Sequence, residues 1–306
     1  MMEKIDLSLE IAGKEFKNPI WLASGTCGYG EELADFFKLD QIGAIVTKTI
    51  TKEPRPGHPP PRVFETGYGM LNAIGLQNVG VDEFIESKLP FLEKQNANLI
   101  VNIAGRSVEE YCSVCEKLND ASQIISAIEL NMSCPNVTDG LEFSKNPKLA
   151  EELIKRTKSV ATCPIIAKLS PNVADISEIA VASEQAGADA ISLINTLVGM
   201  AVDIETFKPR LSNVTGGLSG PPIKPVAIAM VYKVYNSVSV PVIGIGGIMD
   251  YRDVIEFMLC GASAVQIGTA NFINPRISIE IIESLKRWME SRDYRSLNDI
   301  VGKVRA

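Results

Sequence analysis

The chain opens with a period of two. Ile5, Leu7, Leu9 and Ile11 alternate with polar residues, Ala12-Gly13-Lys14 breaks the run and Phe16 resumes it, which predicts a short β-hairpin. Eight short apolar runs follow, at 20–24, 44–49, 99–104, 127–132, 165–170, 190–195, 241–246 and 264–269. Each is succeeded by a stretch of helical length, near 31–38, 82–94, 107–119, 147–160, 175–186, 222–236, 250–259 and 276–290. Strand–helix alternation means parallel strands joined by right-handed crossovers. Eight units predict an α/β chain closed into a (β/α)8 TIM barrel, with the N-terminal hairpin capping one end. Gly187-Ala-Asp-Ala-Ile and Gly261-Ala-Ser-Ala-Val read as one helix-to-strand turn used twice.

Three connections exceed what a plain barrel needs: residues 50–81 after strand two, 133–146 after strand four and 196–221 after strand six. All three are expected on the C-terminal face, where long loops act as lids, binding loops or partner surfaces. No linker or low-complexity tract interrupts the rhythm, so residues 1–306 read as one barrel domain.

The fourth run changes character at its end. Ala127-Ile-Glu-Leu130 leads into Asn131, Ser133, Cys134 and Asn136, with Pro135 fixing the backbone among them. A parallel strand should be nearly continuous in apolar residues, so this crowding of polar groups marks a ligand site. Amides that donate and accept, beside a thiol that can move a proton, suit a small planar polar substrate. Lys48 and Lys168 also end apolar runs. A cation there needs an anionic partner, whether charge developing on a cofactor, a substrate carboxylate or a Schiff-base intermediate. Asn72, Asn102, Asn131, Asn136 and Asn195, with Thr196, converge on the same mouth. Ile243-Gly-Ile-Gly-Gly-Ile248 and Ile267-Gly-Thr-Ala270 close strands seven and eight, where barrels hold phosphate on bare backbone N–H groups, and Gly220 can add another.

Composition narrows the partners. Formal net charge is −7, from 30 basic against 37 acidic residues, which argues against nucleic acid and against an anionic membrane surface. No run approaches a membrane span and the start lacks the apolar core of a signal peptide, so a cytoplasmic protein is expected. The six cysteines are scattered, unlike a secreted disulfide framework. Cys112-Ser-Val-Cys115 is a lone pair within a helical pattern and reads as structural; Cys27, Cys163 and Cys260 read as small buried or loop residues. His58 lies in a Pro-rich loop and is assigned to the surface. No cluster of His, Asp or Glu falls at strand ends, so no metal is expected. On the residues alone, a Schiff-base aldolase or isomerase and a non-catalytic barrel scaffold both stay open.

A family resemblance goes further. Ala23-Ser-Gly-Thr26, Thr47-Lys-Thr49, Asn72-Ala-Ile-Gly-Leu76, Asn131-Met-Ser-Cys-Pro-Asn136, Asn195-Thr196, Gly246-Gly247 and Gly268-Thr269 together resemble the dihydroorotate dehydrogenases of pyrimidine biosynthesis. The match spans almost the whole chain in order. The strand-two loop and the length are similar to the class 1B catalytic subunit, and Cys134 stands where a class 2 enzyme has a serine base. The resemblance implies FMN held by Ser24, Lys48, Thr49, Asn102, Asn131, Lys168 and Ile194, completed by Gly220, Gly246, Gly247, Gly268 and Thr269. It implies dihydroorotate held by Lys48, Asn72, Ala73, Ile74, Gly75, Leu76, Asn131, Asn136, Asn195 and Thr196. Cys134 would be the general base yielding orotate, and Lys168 would neutralise charge on the reduced ring. A class 1B chain would form a homodimer core within a heterotetramer. Its electron-transfer subunit would carry FAD and a 2Fe–2S cluster and pass electrons to NAD. A class 1A relative would be a homodimer reducing fumarate.

Overall fold

A computed structural model describes residues 5–133 and 143–305. Eight parallel strands close into a barrel with helices between them, as the alternation predicts. In chain order they are Ile20–Leu22, Ala44–Val46, Leu99–Ile103, Ile125–Asn131, Ile165–Lys168, Ala190–Leu193, Val242–Ile245 and Ala262–Ile267. Each pairs with its neighbours in sequence, and strand eight returns to strand one, with Val265 opposite Ile20. The antiparallel hairpin Leu9–Ile11 and Lys14–Phe16 precedes the barrel. Its two turn residues, Ala12 (φ 55°) and Gly13 (φ 72°), both have the positive φ that a tight I′ turn needs.

Local signals set the helix starts. Ser107, Asn146 and Asp175 each accept a backbone N–H from the first turn of the helices Val108–Leu118, Pro147–Val160 and Ile176–Gln185. Asp250 and Asp253 form a reciprocal capping box on Tyr251–Leu259. Two helices depart from expectation. The first is only Glu31–Ala34, shorter than its apolar pattern. The second contains a π turn at Phe84–Lys88, placed just before Pro90, whose ring would crowd the carbonyl of an ordinary turn.

The barrel interior is layered. Toward the strand starts Trp21, Ala44, Ile100, Ala127, Ile166, Ala190, Ile243 and Ala264 pack together, and the hairpin adds Ile11 and Phe16 as a plug. Trp21 packs at a tilt on Phe16 with ring centroids 4.6 Å apart, and a Cβ on Gly43 would meet the Asn18 carbonyl at 2.0 Å and the Trp21 ring at 2.6 Å. Two residues further along five of these strands stand Asn102, Glu129, Lys168, Ser192 and Gln266, all buried. A strand alternates its faces with period two, so these polar residues form the next layer up. The larger apolar core lies outside the barrel, between strands and helices.

The connections after strands two and six do not run as separate loops. Val63–Glu65, Met70–Asn72, Leu197–Met200 and Thr215–Ser219 form a four-stranded antiparallel sheet, with Asn72 opposite Gly217. Among the described residues, no helix is long and apolar enough to cross a membrane.

Candidate active site

The C-terminal mouth of the barrel opens into a cavity of 740 Å³. Strand ends place Ser24, Lys48, Thr49, Asn131 and Lys168 on its walls, and Ile194, Asn195 and Thr196 line it after strand six. The loop after strand two contributes Asn72, Ala73, Ile74, Gly75 and Leu76. Gly220, Gly246, Gly247, Gly268 and Thr269 meet at one end. Cys134 and Asn136 lie outside the described residues. Asn102 sits lower than expected: it is fully buried in the polar layer, not on the wall, and donates its amide to Glu129.

The amides are tied to one another. Asn195 Nδ2 donates to Asn131 Oδ1 at 3.0 Å, and Asn195 Oδ1 accepts the Thr196 N–H at 2.8 Å. The Tyr111 hydroxyl donates to the Asn131 carbonyl at 2.7 Å. Asn72 Nδ2 reaches across the small sheet to the Gly217 carbonyl at 3.3 Å. Asn172, which the sequence does not flag, donates to the Thr196 carbonyl and accepts the Val198 N–H, each at 3.0 Å. The polar wall is therefore held by side-chain hydrogen bonds, most of them to backbone, which fixes its amides in place.

The glycine end has the shape of an anion cradle. Gly220, Gly246 and Gly247 have φ of 90°, 131° and 73°, values that ordinary side chains rarely adopt. A Cβ on Gly247 would come within 2.9 Å of the Gly220 carbonyl, so only bare backbone lets these two loops approach. Thr269 Oγ1 donates to Ser219 Oγ at 2.8 Å, linking the cradle to the small sheet.

Charge in the cavity has one sign. Lys48, Arg62, Lys145 and Lys168 line it, and among its described lining residues there is no carboxylate. Burial, and secondarily the Arg62 guanidinium, lower the Lys48 pKa from its ordinary value against a weaker opposing pull from Glu32. Lys168 differs, because its ammonium lies 3.2 Å from Glu129 Oε1, a carboxylate with no solvent exposure. Sequence reading expected an anionic ligand for this lysine and passed over Glu129. Its position two residues before Asn131, on the same strand face, was the available signal.

His58 also departs from expectation. It lines the cavity, with Nδ1 3.1 Å from the Ala73 carbonyl, and a Cβ on Gly75 would strike its ring. Arg62 donates to Gln77 Oε1 at 2.7 Å, so this Pro-rich loop is clipped onto the 72–77 segment instead of lying free on the surface. The described cysteines are free and lie away from the cavity lining. Burial pushes the Cys27 and Cys115 thiols up to about 12 and raises those of Cys112, Cys163 and Cys260. None of these is poised as a thiolate. Among the described residues there is no group of His, Cys, Asp and Glu able to hold a metal ion.

Comparison with known proteins gives one family throughout. The model of the dihydroorotate dehydrogenase family matches residues 6–289. A protein of Alkaliphilus metalliredigens described as "Dihydroorotate dehydrogenase B (NAD(+)), catalytic subunit" is 53% identical over 304 residues, covering 99% of this chain and 100% of its own. Proteins with the same description from Alkaliphilus oremlandii and Geobacter metallireducens are 52% and 50% identical, each across 99% of this chain.

Proposed function

Because the chain belongs to the dihydroorotate dehydrogenase family, we propose that it oxidises dihydroorotate to orotate in pyrimidine biosynthesis, using bound FMN and an electron-transfer partner that delivers to NAD. The charge of the cavity carries this reading. A space whose described lining has cations and no carboxylate, with a glycine cradle at one end and amides along its wall, suits a phosphorylated cofactor beside a carboxylated ring. Two buried atoms also want a partner: Asn102 Oδ1 and Ser133 Oγ have no hydrogen bond among the described residues.

FMN, when bound, supplies the hydride acceptor. Gly220, Gly246, Gly247, Gly268 and Thr269 would take its phosphate on backbone N–H groups, with Ser24, Thr49, Asn102, Asn131 and Ile194 around the rest. Lys168 would neutralise negative charge gathering on the ring. Dihydroorotate presents alternating N–H and C=O groups, which Asn72, Asn131, Asn195 and Thr196 would pair, together with Asn136. Lys48 and the backbone of Ala73 through Leu76 would receive its carboxylate. Cys134 would remove the proton from C5 as hydride leaves C6. We further assign the partner FAD and a 2Fe–2S cluster, two chains of each kind around a homodimer core, a single barrel domain in this chain, and a cytoplasmic location.

An anaerobic titration tests this directly. The purified chain should be yellow, and dihydroorotate should bleach the flavin band. Added NAD should not restore the colour until the partner subunit is present. A yellow protein that dihydroorotate fails to bleach would remove the substrate assignment; a protein that takes up no FMN would remove the cofactor as well.

A further inference from the structure

Glu129 is the one carboxylate in the polar layer beneath the cavity, and it is saturated by the protein itself. Its Oε1 accepts from Asn102 Nδ2 at 2.6 Å and Lys168 Nζ at 3.2 Å; its Oε2 accepts from Ser192 Oγ at 2.8 Å and Gln266 Nε2 at 2.7 Å. Four donors from four strands fill the four lone-pair positions of a carboxylate. Nothing is left for a ligand, and Glu129 does not line the cavity. Of these groups only Lys168 reaches the cavity wall. The pair is thus oriented, with the cationic end facing the cavity and the anionic end sealed below.

A role in stability alone does not account for this placement. The layer directly beneath is hydrocarbon on the same strands, and hydrophobic residues replace a buried ion pair with little or no loss of stability. Charge appears only where the barrel borders the cavity. Resting on the flavin reading given above, we propose that Glu129 is a positioning residue for the redox reaction. It anchors the Lys168 ammonium at the cavity floor and offsets part of its charge, so that the flavin ring meets a fixed, attenuated cation.

Glu129→Gln separates charge from shape. Gln266 Oε1 lacks a partner, so this amide can turn over to accept from a new amide nitrogen on the Oε2 side, where the Ser192 hydroxyl can also accept, while Asn102 and Lys168 keep their oxygen. Among the described residues, Cys27 and through it Glu32 couple to the pair, and Lys48 lines the same cavity as Lys168, so the readouts are taken without substrate at one fixed pH. The variant should keep FMN within about threefold of the parent affinity. Its flavin should become easier to reduce by about 30 mV or more, the equivalent of tenfold in a two-electron equilibrium. Sulfite should add to its flavin at least tenfold more tightly. With dihydroorotate, kcat should change while KM stays within about threefold, because Glu129 does not touch substrate.

Lys168→Met gives an independent arm. Alone it uncovers the buried carboxylate beneath the ring; combined with Glu129→Gln it leaves no charge there. The double variant should bind FMN at least tenfold more tightly than Lys168→Met and have the higher flavin potential. This comparison carries the test if Glu129→Gln does not fold. A flavin potential within about 9 mV of the parent (twofold in a two-electron equilibrium) and a sulfite affinity within twofold of it in Glu129→Gln, or a double variant no different from Lys168→Met, would overturn the inference and leave the flavin reading intact. A parent protein that takes up no FMN would overturn both.

Discussion

At the strand starts the barrel is filled by Trp21, Ile100, Ala127, Ile166 and Ala264; two residues further along, the same column of space is filled by Asn102, Glu129, Lys168 and Gln266. The backbone is the same and the ladder is continuous, so the change is one of solvent and partner. The lower layer is closed by the hairpin and has only hydrocarbon to meet. The upper layer borders a cavity, and each polar side chain in it has found a partner from another strand, with Asn102 Oδ1 and Gln266 Oε1 left over. One stretch of strand therefore serves stability with one residue and chemistry with the next inward-facing one.

Substitutions can pull these two ends apart. The largest effect belongs to the proposed base: Cys134→Ala should slow anaerobic flavin reduction by about 10²–10⁴-fold while orotate binding holds within about threefold. Equal losses in both would remove the base assignment. Trp21→Ala, at the plug, should cost about 3–5 kcal/mol of stability in denaturant unfolding and leave the orotate dissociation constant unchanged. If orotate binding weakened in step, the two ends would be one unit after all.

Lys48→Met should weaken orotate binding by about tenfold or more, the scale of one charge-assisted contact. The parent enzyme should also lose orotate affinity as pH rises. Burial and Arg62 have already lowered the Lys48 pKa, so the ammonium is lost earlier than from a free lysine, and an anionic ligand binds the protonated form better. The fall should begin below the usual lysine range in a titration from pH 7 to 10, and the Lys48→Met protein should lack it. The smallest effect belongs to a helix cap that is not itself among the cavity-lining residues. Asp250→Ala, which removes a helix cap, should cost about 1 kcal/mol and change neither flavin content nor orotate affinity.

Much of this architecture could be read from the chain. Eight apolar runs with helical intervals identify the barrel because burial on both faces leaves parallel strands few other compositions. Lys48, Lys168, the asparagines and the late glycines are legible as polar groups and glycines at strand ends, whereas Ser24, Thr49 and Ile194 come only from the family resemblance. What escaped depends on pairing at a distance. Glu129 was visible in a buried strand, but its meaning needed Lys168, Ser192 and Gln266, between 39 and 137 residues away. The small sheet escaped for the same reason, since Asn72 and Gly217 pair across 145 residues with no local turn to announce it. His58 was placed on the surface because a Pro-rich loop carries no periodicity from which burial can be inferred.

That small sheet makes the two longest excursions from the barrel into a single wall. Met70–Asn72 and Thr215–Ser219 share backbone hydrogen bonds, and each carries residues that face the cavity. A change of length or register in one must be matched in the other, because a slip by one residue would turn Asn72 to the opposite face. Loops that look independent along the chain are thus inherited as a pair. Exchange between relatives would have to move residues 63–72 and 197–219 together, and a graft of either alone would carry its own side chains into a wall built for another partner.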